Sequence, residues 1–207
     1  MARTPGARNY NFDAKRSALL DSVINFALSG DISRPSLRQL ALAADTSEPT
    51  LRHYFTDRKG VIIAMMAELG ERAQPIWRKL EEPSDSVEEA VNACFRHALT
   101  RMGDDMFIRM HAFGMVEGMA EPEAGEAYLE HILEPSLDCV QRKLMHTPGA
   151  PTDPNEIRTA AIAMFAPVIM MCLHQHLLGG RAHAPLDDHT TVRHLSNWLS
   201  VAIAETA

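Results

Sequence analysis

Residues 36–60 read SLRQLALAADTSEPTLRHYFTDRKG. Leu37, Leu40, Ala41 and Ala44 recur at i, i+3, i+4 and i+7, which is one face of a helix. Ser36 supplies an N-cap, and Gln39 three residues on completes a capping box. Asp45-Thr46-Ser47 interrupts the pattern. Ser47 then caps a second helix, whose early Pro49 fits the first turn, where a missing N–H removes no helical bond. Two short helices joined by a tight turn form the helix-turn-helix plan, in which the second helix enters a DNA groove.

The surrounding pattern extends this plan. Residues 1–11 read as a polar arm, expected to be disordered, with Arg3 and Arg8 available to touch DNA. A first helix is expected over residues 13–29, burying Leu19, Leu20, Val23, Ile24 and Ala27, and Gly30 ends it. Asp57 caps a fourth helix that carries Val61, Ile62, Met65, Met66 and Leu69. That helix runs to about Leu80, bends at Pro75 and stops before Pro83.

The chain resembles the TetR-type transcriptional regulators. The resemblance rests on Leu40-Ala41, Ala44, Ser47, Thr50 and Leu51, on Tyr54-Phe55 closing the recognition helix, and on the basic Arg58 after it. It covers residues 12–66 by motif and the remainder by length and helical character. It implies an all-α protein with a three-helix DNA-binding domain (residues 1–60) and a helical effector-binding and dimerisation domain (residues 61–207), about nine helices in all. Two positions depart from the family pattern. Asp45 replaces a glycine, and Asp tolerates a left-handed backbone better than most residues. Arg52 replaces an aromatic, so the base preference of relatives does not carry over.

A recognition helix buries one face and offers short polar or basic side chains on the other. Leu51, Tyr54 and Phe55 suit the buried side. Glu48, Pro49, Thr50, Arg52 and His53 are left outward. Thr50 suits a thymine methyl or a phosphate, and Arg52 suits guanine or a phosphate. The resemblance puts His53 and Arg58 on phosphates. Ser36 and Arg38 are expected to face the backbone, and Ser47 and Tyr54 complete the DNA-binding candidates. A unit of this size reads few base pairs, so specificity implies a homodimer on two half-sites.

The net charge of −7 hides an asymmetry. Residues 1–60 carry nine Lys/Arg against six acids, a net of +3, and the remainder carries 11 against 21, a net of −10. A basic head on an acidic body keeps phosphate attraction local. Cys94, Cys139 and Cys172, odd in number and far apart, suit a reducing cytoplasm rather than a disulfide framework. No uninterrupted apolar run of about 18 residues and no hydrophobic leader is seen, so a cytoplasmic protein without membrane contact is expected.

The body reads as helical throughout. Asp85, with Glu88 as reciprocal cap, opens a helix that Gly103 breaks. Helices follow over residues 105–119 and over 121–145, the latter bent near Pro135. HTPGAPT (146–152) is a loop, and Asp153-Pro154-Asn155-Glu156 is a strong helix start leading to about Leu178. Gly179-Gly180 stops that helix, RAHAPLDD links, and a last helix spans residues 189–204.

Met102, Met106 and Met110 share a helical face, and methionine suits either an ordinary core or a pocket for varied apolar ligands. With them, Trp77, Phe107, His111, Phe113, Met164, Phe165 and Cys172 are the candidate lining of an effector pocket, and the effector is expected to be apolar or aromatic. The dimer seam is expected on the last two long helices, through Ile169, Leu173, His176, Leu177, Leu195, Trp198 and Leu199. Cys172 and His176 stand at i, i+4, but no further ligand lies at metal spacing, and His174 points elsewhere; no metal or cofactor is expected. No Gly-rich phosphate loop, HExxH or GxSxG occurs, so no catalytic residue is assigned. The reading is a ligand-responsive regulator, most often a repressor in this family. The alternatives are an effector-independent architectural or division-control protein, and an enzyme with a hidden site.

Overall fold

The computed structural model describes residues 6–30, 33–102 and 105–206. Its helices are α1 (Gly6–Ser29), α2 (Leu37–Ala43), α3 (Glu48–Phe55), α4 (Arg58–Leu80), α5 (Val87–Met102) and α6 (Asp105–Ala120). They continue as α7 (Pro122–Tyr128), α8 (Glu134–Met145), α9 (Pro154–Cys172), α10 (Gly180–His183) and α11 (Asp188–Ala204). Turns of π-helix at Leu129–Leu133 and Leu173–Leu177 fuse α7 to α8 and lengthen α9. Among the described residues there is no strand, so the fold is all-α as expected.

Local chemistry sets most helix starts. The Ser36 hydroxyl accepts from the Gln39 N–H at 3.3 Å, and the Gln39 carboxamide accepts from the Ser36 N–H at 2.8 Å, closing the capping box on α2. Ser47 caps α3 by accepting from the Thr50 N–H, and Asp57 caps α4 by accepting from the Gly60 N–H at 2.8 Å. Asp45 takes a positive φ of 45° in the turn, as its residue type permits.

Four expectations move. Residues 1–5 of the expected arm lie outside the described residues, and from Gly6 onward the chain already belongs to α1 rather than waiting for Asp13. Nothing between Gly6 and Asp13 breaks a helix, and Phe12 is anchored against Tyr54 of α3, ring centroids 4.6 Å apart. The cap of α5 is Ser86 instead of Asp85: its hydroxyl accepts from the Glu89 N–H, and the Glu89 carboxylate accepts from the Asp85 N–H. The bend expected near Pro135 is a π turn. Proline has no N–H to offer the carbonyl four residues back, and that carbonyl, of His131, is pressed against Gly70 of α4, where a methyl group would collide with it. The linker after Gly180 begins as the short α10, and Asp187 caps α11.

The apolar interior forms two clusters. One joins α1, α2 and α3 to the start of α4 and continues into Met110, Phe113, Tyr128 and Ile132 of the body. The other packs α5, α8, α9 and α11 around Phe95, Leu144, Ala161 and Met164. Phe107 of α6 packs against both. The segment Pro154–Leu177 is long and apolar enough by composition to cross a membrane. Here it is a core helix, burying Ile157, Ala161, Met164 and Val168 among the other helices.

Candidate nucleic-acid interface and effector cavity

Burial divides α3 as its sequence pattern implies. Leu51 and Phe55 are buried, while Arg52, His53, Pro49 and the capping Ser47 are exposed and Glu48 and Thr50 are half-buried. The Thr50 hydroxyl lies 2.9 Å from that of Ser47. Tyr54 is half-buried between Phe12, His53 and Phe55, so its ring braces α3 against α1. Ser36 and Arg38 are exposed at the start of α2.

Arg58 has a different destination from the phosphate that the resemblance implied. Its Nε donates to the Pro35 carbonyl at 2.7 Å, and its Nη1 and Nη2 donate to Glu117 at 3.1 and 2.5 Å. This bidentate geometry is the strong form of an arginine–carboxylate pair. Glu117 is fully buried on α6, and Arg34, from the segment before α2, donates its Nε to the same carboxylate at 3.2 Å. Arg34 also reaches Glu121 at 3.6 Å, and Lys59 pairs with Glu123 at 2.7 Å. Glu123 therefore sits below the usual carboxylate range, through its hydrogen bond with Lys59, and Lys59 is correspondingly raised. Arg109 of α6 donates to the Gly30 carbonyl at the end of α1. A desolvated carboxylate needs charge partners, and α6 obtains them from the head.

The body holds an apolar, partly open cavity of about 160 Å³. Of the candidate lining, Trp77, Met106, Phe107, Met110, Met164 and Phe165 face it. His111 is buried behind Phe107 and Phe165, Phe113 lies in the core shared with the head, and Cys172 is packed in the body core. The Met102 side chain lies outside the described residues. Sequence reading missed the walls supplied by α4 (Leu69, Ala73, Ile76, Leu80), α5 (Cys94, Phe95, Ala98) and α8 (Ser136, Cys139, Val140), and Val168 of α9. The apolar period of α5 through Cys94, Phe95 and Ala98 pointed to a buried face, but period alone does not distinguish packing from lining. Burial pushes the Cys94 and Cys139 thiols up to about 12, so neither is a ready nucleophile.

Among the dimer candidates, Ile169 is buried within the chain itself. Leu173, His176, Leu177, Leu195 and Leu199 are half-buried, and Trp198 is 65% exposed. Ile162 and Met170 of α9, Leu178 just beyond it and Val201 of α11 are also exposed apolar side chains, unanticipated from sequence.

No protein-family model and no curated protein sequence matches the chain. Its fold is nonetheless similar to solved structures. One, from Mesorhizobium loti, is assigned to the TetR family of transcriptional regulators: 14% identity over 94% of this chain and 96% of that one, TM-score 0.62. Another is the transcriptional regulator FadR from Bacillus subtilis in complex with stearoyl-CoA: 14% identity, 92% and 98% covered, TM-score 0.61. A third is a TetR family transcription regulator from Marinobacter aquaeolei: 19% identity, 95% and 98% covered, TM-score 0.58. The chain therefore has the TetR-type fold, a helix-turn-helix head on a helical body.

Proposed function

We propose that the protein is a homodimeric, DNA-binding transcriptional regulator whose operator affinity is set by a small apolar effector. The observation that carries the reading is one helix with two ends. Phe107 and Met110 of α6 line the cavity, and Glu117 on the same helix is held by Arg34 and Arg58 of the head. A molecule that moves α6 changes the seating of α4 and hence the spacing of two recognition helices. Half-sites one helical turn apart, about 34–36 Å, are matched by one spacing only. The effector need favour one state over the other by only about 1–3 kcal/mol.

In this reading Arg52, Thr50, Pro49 and Glu48 face base edges, while His53, Ser47, Ser36 and Arg38 serve the phosphates and Tyr54 holds the helix in place. Arg58 is a coupling residue. The cavity favours a sensor over an effector-independent architectural protein, since an apolar void of roughly 150 Å³ is enough to take up a benzene-sized molecule. The stearoyl-CoA held by the Bacillus subtilis FadR structure is a precedent for an effector with a large apolar part. The exposed apolar side chains of α9 and α11 supply the surface for a second copy.

The test is fluorescence anisotropy with DNA from upstream of the protein's own gene, at low and moderate salt. Saturable binding that an added apolar compound weakens is the expected result. Binding no tighter than to unrelated DNA across that range would refute the regulator reading.

A further inference from the structure

Behind the cavity wall lies a polar pair that an apolar lining does not require. His111 is 1% exposed, and its ring centroid stands 4.7 Å from that of Phe107 and 5.5 Å from that of Phe165. Both phenyl rings face the cavity. The His111 Nδ1 lies 2.9 Å from the Tyr128 hydroxyl, and the His111 Nε2 has no hydrogen-bond partner among the described residues. A neutral imidazole and a phenol bring two polar hydrogens, and a single bond joins the pair. The phenol is the stronger acid of the two, so we assign its O–H as the donor to Nδ1, an assignment that leaves Nε2–H as a buried donor. Leaving such a group unpaired is costly, and its persistence in a folded chain calls for a use.

The surroundings limit what can satisfy it. Burial holds the His111 imidazole down to about 3, so the ring is neutral and offers an anion no charge. Arg72, which also borders the cavity, is already bonded to Glu68 and Asp21. His97 and Ser136 border it as well, and the lining is otherwise overwhelmingly carbon and sulfur. The neutral His111 ring offers an ionised head group no counter-charge for the hydration it would lose. A carbonyl oxygen loses little and gains one donor.

We propose that the effector is an apolar molecule bearing an uncharged acceptor oxygen (a ketone, ester or amide carbonyl) and that His111 Nε2–H, oriented by Tyr128, is the donor that recognises it when Phe107 and Phe165 are displaced from the cavity wall. The inference rests on the sensor reading above and names the chemistry of its ligand. It also places recognition on the element that reports it, because His111 and Glu117 belong to the same helix.

The experiment compares acetophenone with ethylbenzene, which differ by a carbonyl in place of a methylene, by calorimetric titration of the full-length protein and of His111→Phe. The wild-type protein binds both, and His111→Phe loses about tenfold in acetophenone affinity relative to ethylbenzene, the worth of one hydrogen bond. In the ¹⁵N spectrum of the wild-type protein, the His111 Nε2 resonance moves on adding acetophenone and stays in place with ethylbenzene. This measurement decides the matter alone should His111→Phe not fold. An unchanged affinity ratio in the variant, or an Nε2 resonance indifferent to acetophenone, overturns the assignment of His111 and leaves the sensor reading standing. Failure of both compounds to bind the wild-type protein overturns the cavity reading itself, and this inference with it.

Discussion

An arginine beside a recognition helix has two competing destinations, a phosphate outside or a carboxylate inside. Arg58 takes the second, and Arg52 is proposed for the first. Arg52 is exposed on α3, and Arg58 is folded under the head against Glu117. Their replacement should separate cleanly. Arg52→Ala weakens operator binding and, if its partner is a phosphate, lowers the slope of log affinity against log salt by about one, measured by anisotropy over a salt series. Arg58→Ala leaves that slope unchanged and instead lowers the urea midpoint, by an amount corresponding to about 2–4 kcal/mol, because the buried Glu117 loses its bidentate partner. His111 gives a second residue-scale expectation. Its folded-state value, about 3, lies below the ordinary 6.5, so the unfolded chain binds more protons between those limits. Its contribution to stability is complete above pH 6.5 and falls as pH drops towards 3, by up to about 1.4 kcal/mol per pH unit. Urea unfolding at pH 7 and pH 5 should show a smaller difference in His111→Leu than in the wild-type protein. An equal difference would place the acid sensitivity elsewhere.

At the scale of elements, the connection from α3 to α4 is compressed into Thr56. Its φ of 72° and ψ of −57°, with the Asp57 N–H donating to the Phe55 carbonyl at 2.9 Å, make a γ-turn of the strained hand. A β-branched residue rarely adopts a positive φ. Thr56→Gly should therefore raise stability by about 1 kcal/mol, read as a higher thermal midpoint, and a lower midpoint would show that the Thr56 side chain contributes more than its backbone costs. Elements of this kind mark where sequence reading succeeds and stops. Ser36 with Gln39, Ser47, Asp57 and Asp153 act on the next turn of chain, so their caps are visible from spacing. The acidic start of α5 offered two competing registers, and the hydroxyl of Ser86 took the position read for Asp85. Glu117 and Arg58 are 59 residues apart, and no local period connects them. The cavity is harder still, since a void belongs to no element. It is left where the faces of α4, α5, α6, α8 and α9 fail to meet, and only residues already suspected of facing inward, such as Trp77 and Phe165, could be named in advance.

Over the whole molecule, the head is not an appendage on a separate body. Its core continues through Met110, Phe113 and Tyr128, so displacement of α6 and α7 is felt by the residues that seat α3. The exposed apolar side chains of α9 and α11 form the proposed dimer seam. Trp198→Glu should shift sedimentation from dimer towards monomer and weaken operator binding in parallel, since one head spans one half-site. A variant that stays dimeric would move the seam away from α11.

The burial of Glu117 has a consequence for how such a switch behaves as its surroundings change. Mobile ions screen exposed charges within a Debye length and reach enclosed pairs poorly. The candidate DNA contacts are exposed, whereas the carboxylate that joins the cavity-lining helix to the head is not. Ionic strength therefore acts on one end of the device. Raising salt should lower operator occupancy steeply while the factor by which the effector loosens binding stays constant, a comparison available from anisotropy titrations with and without ligand at two salt concentrations. On the proposed function, a cell under osmotic stress would then lose operator occupancy in absolute terms and keep the same dynamic range.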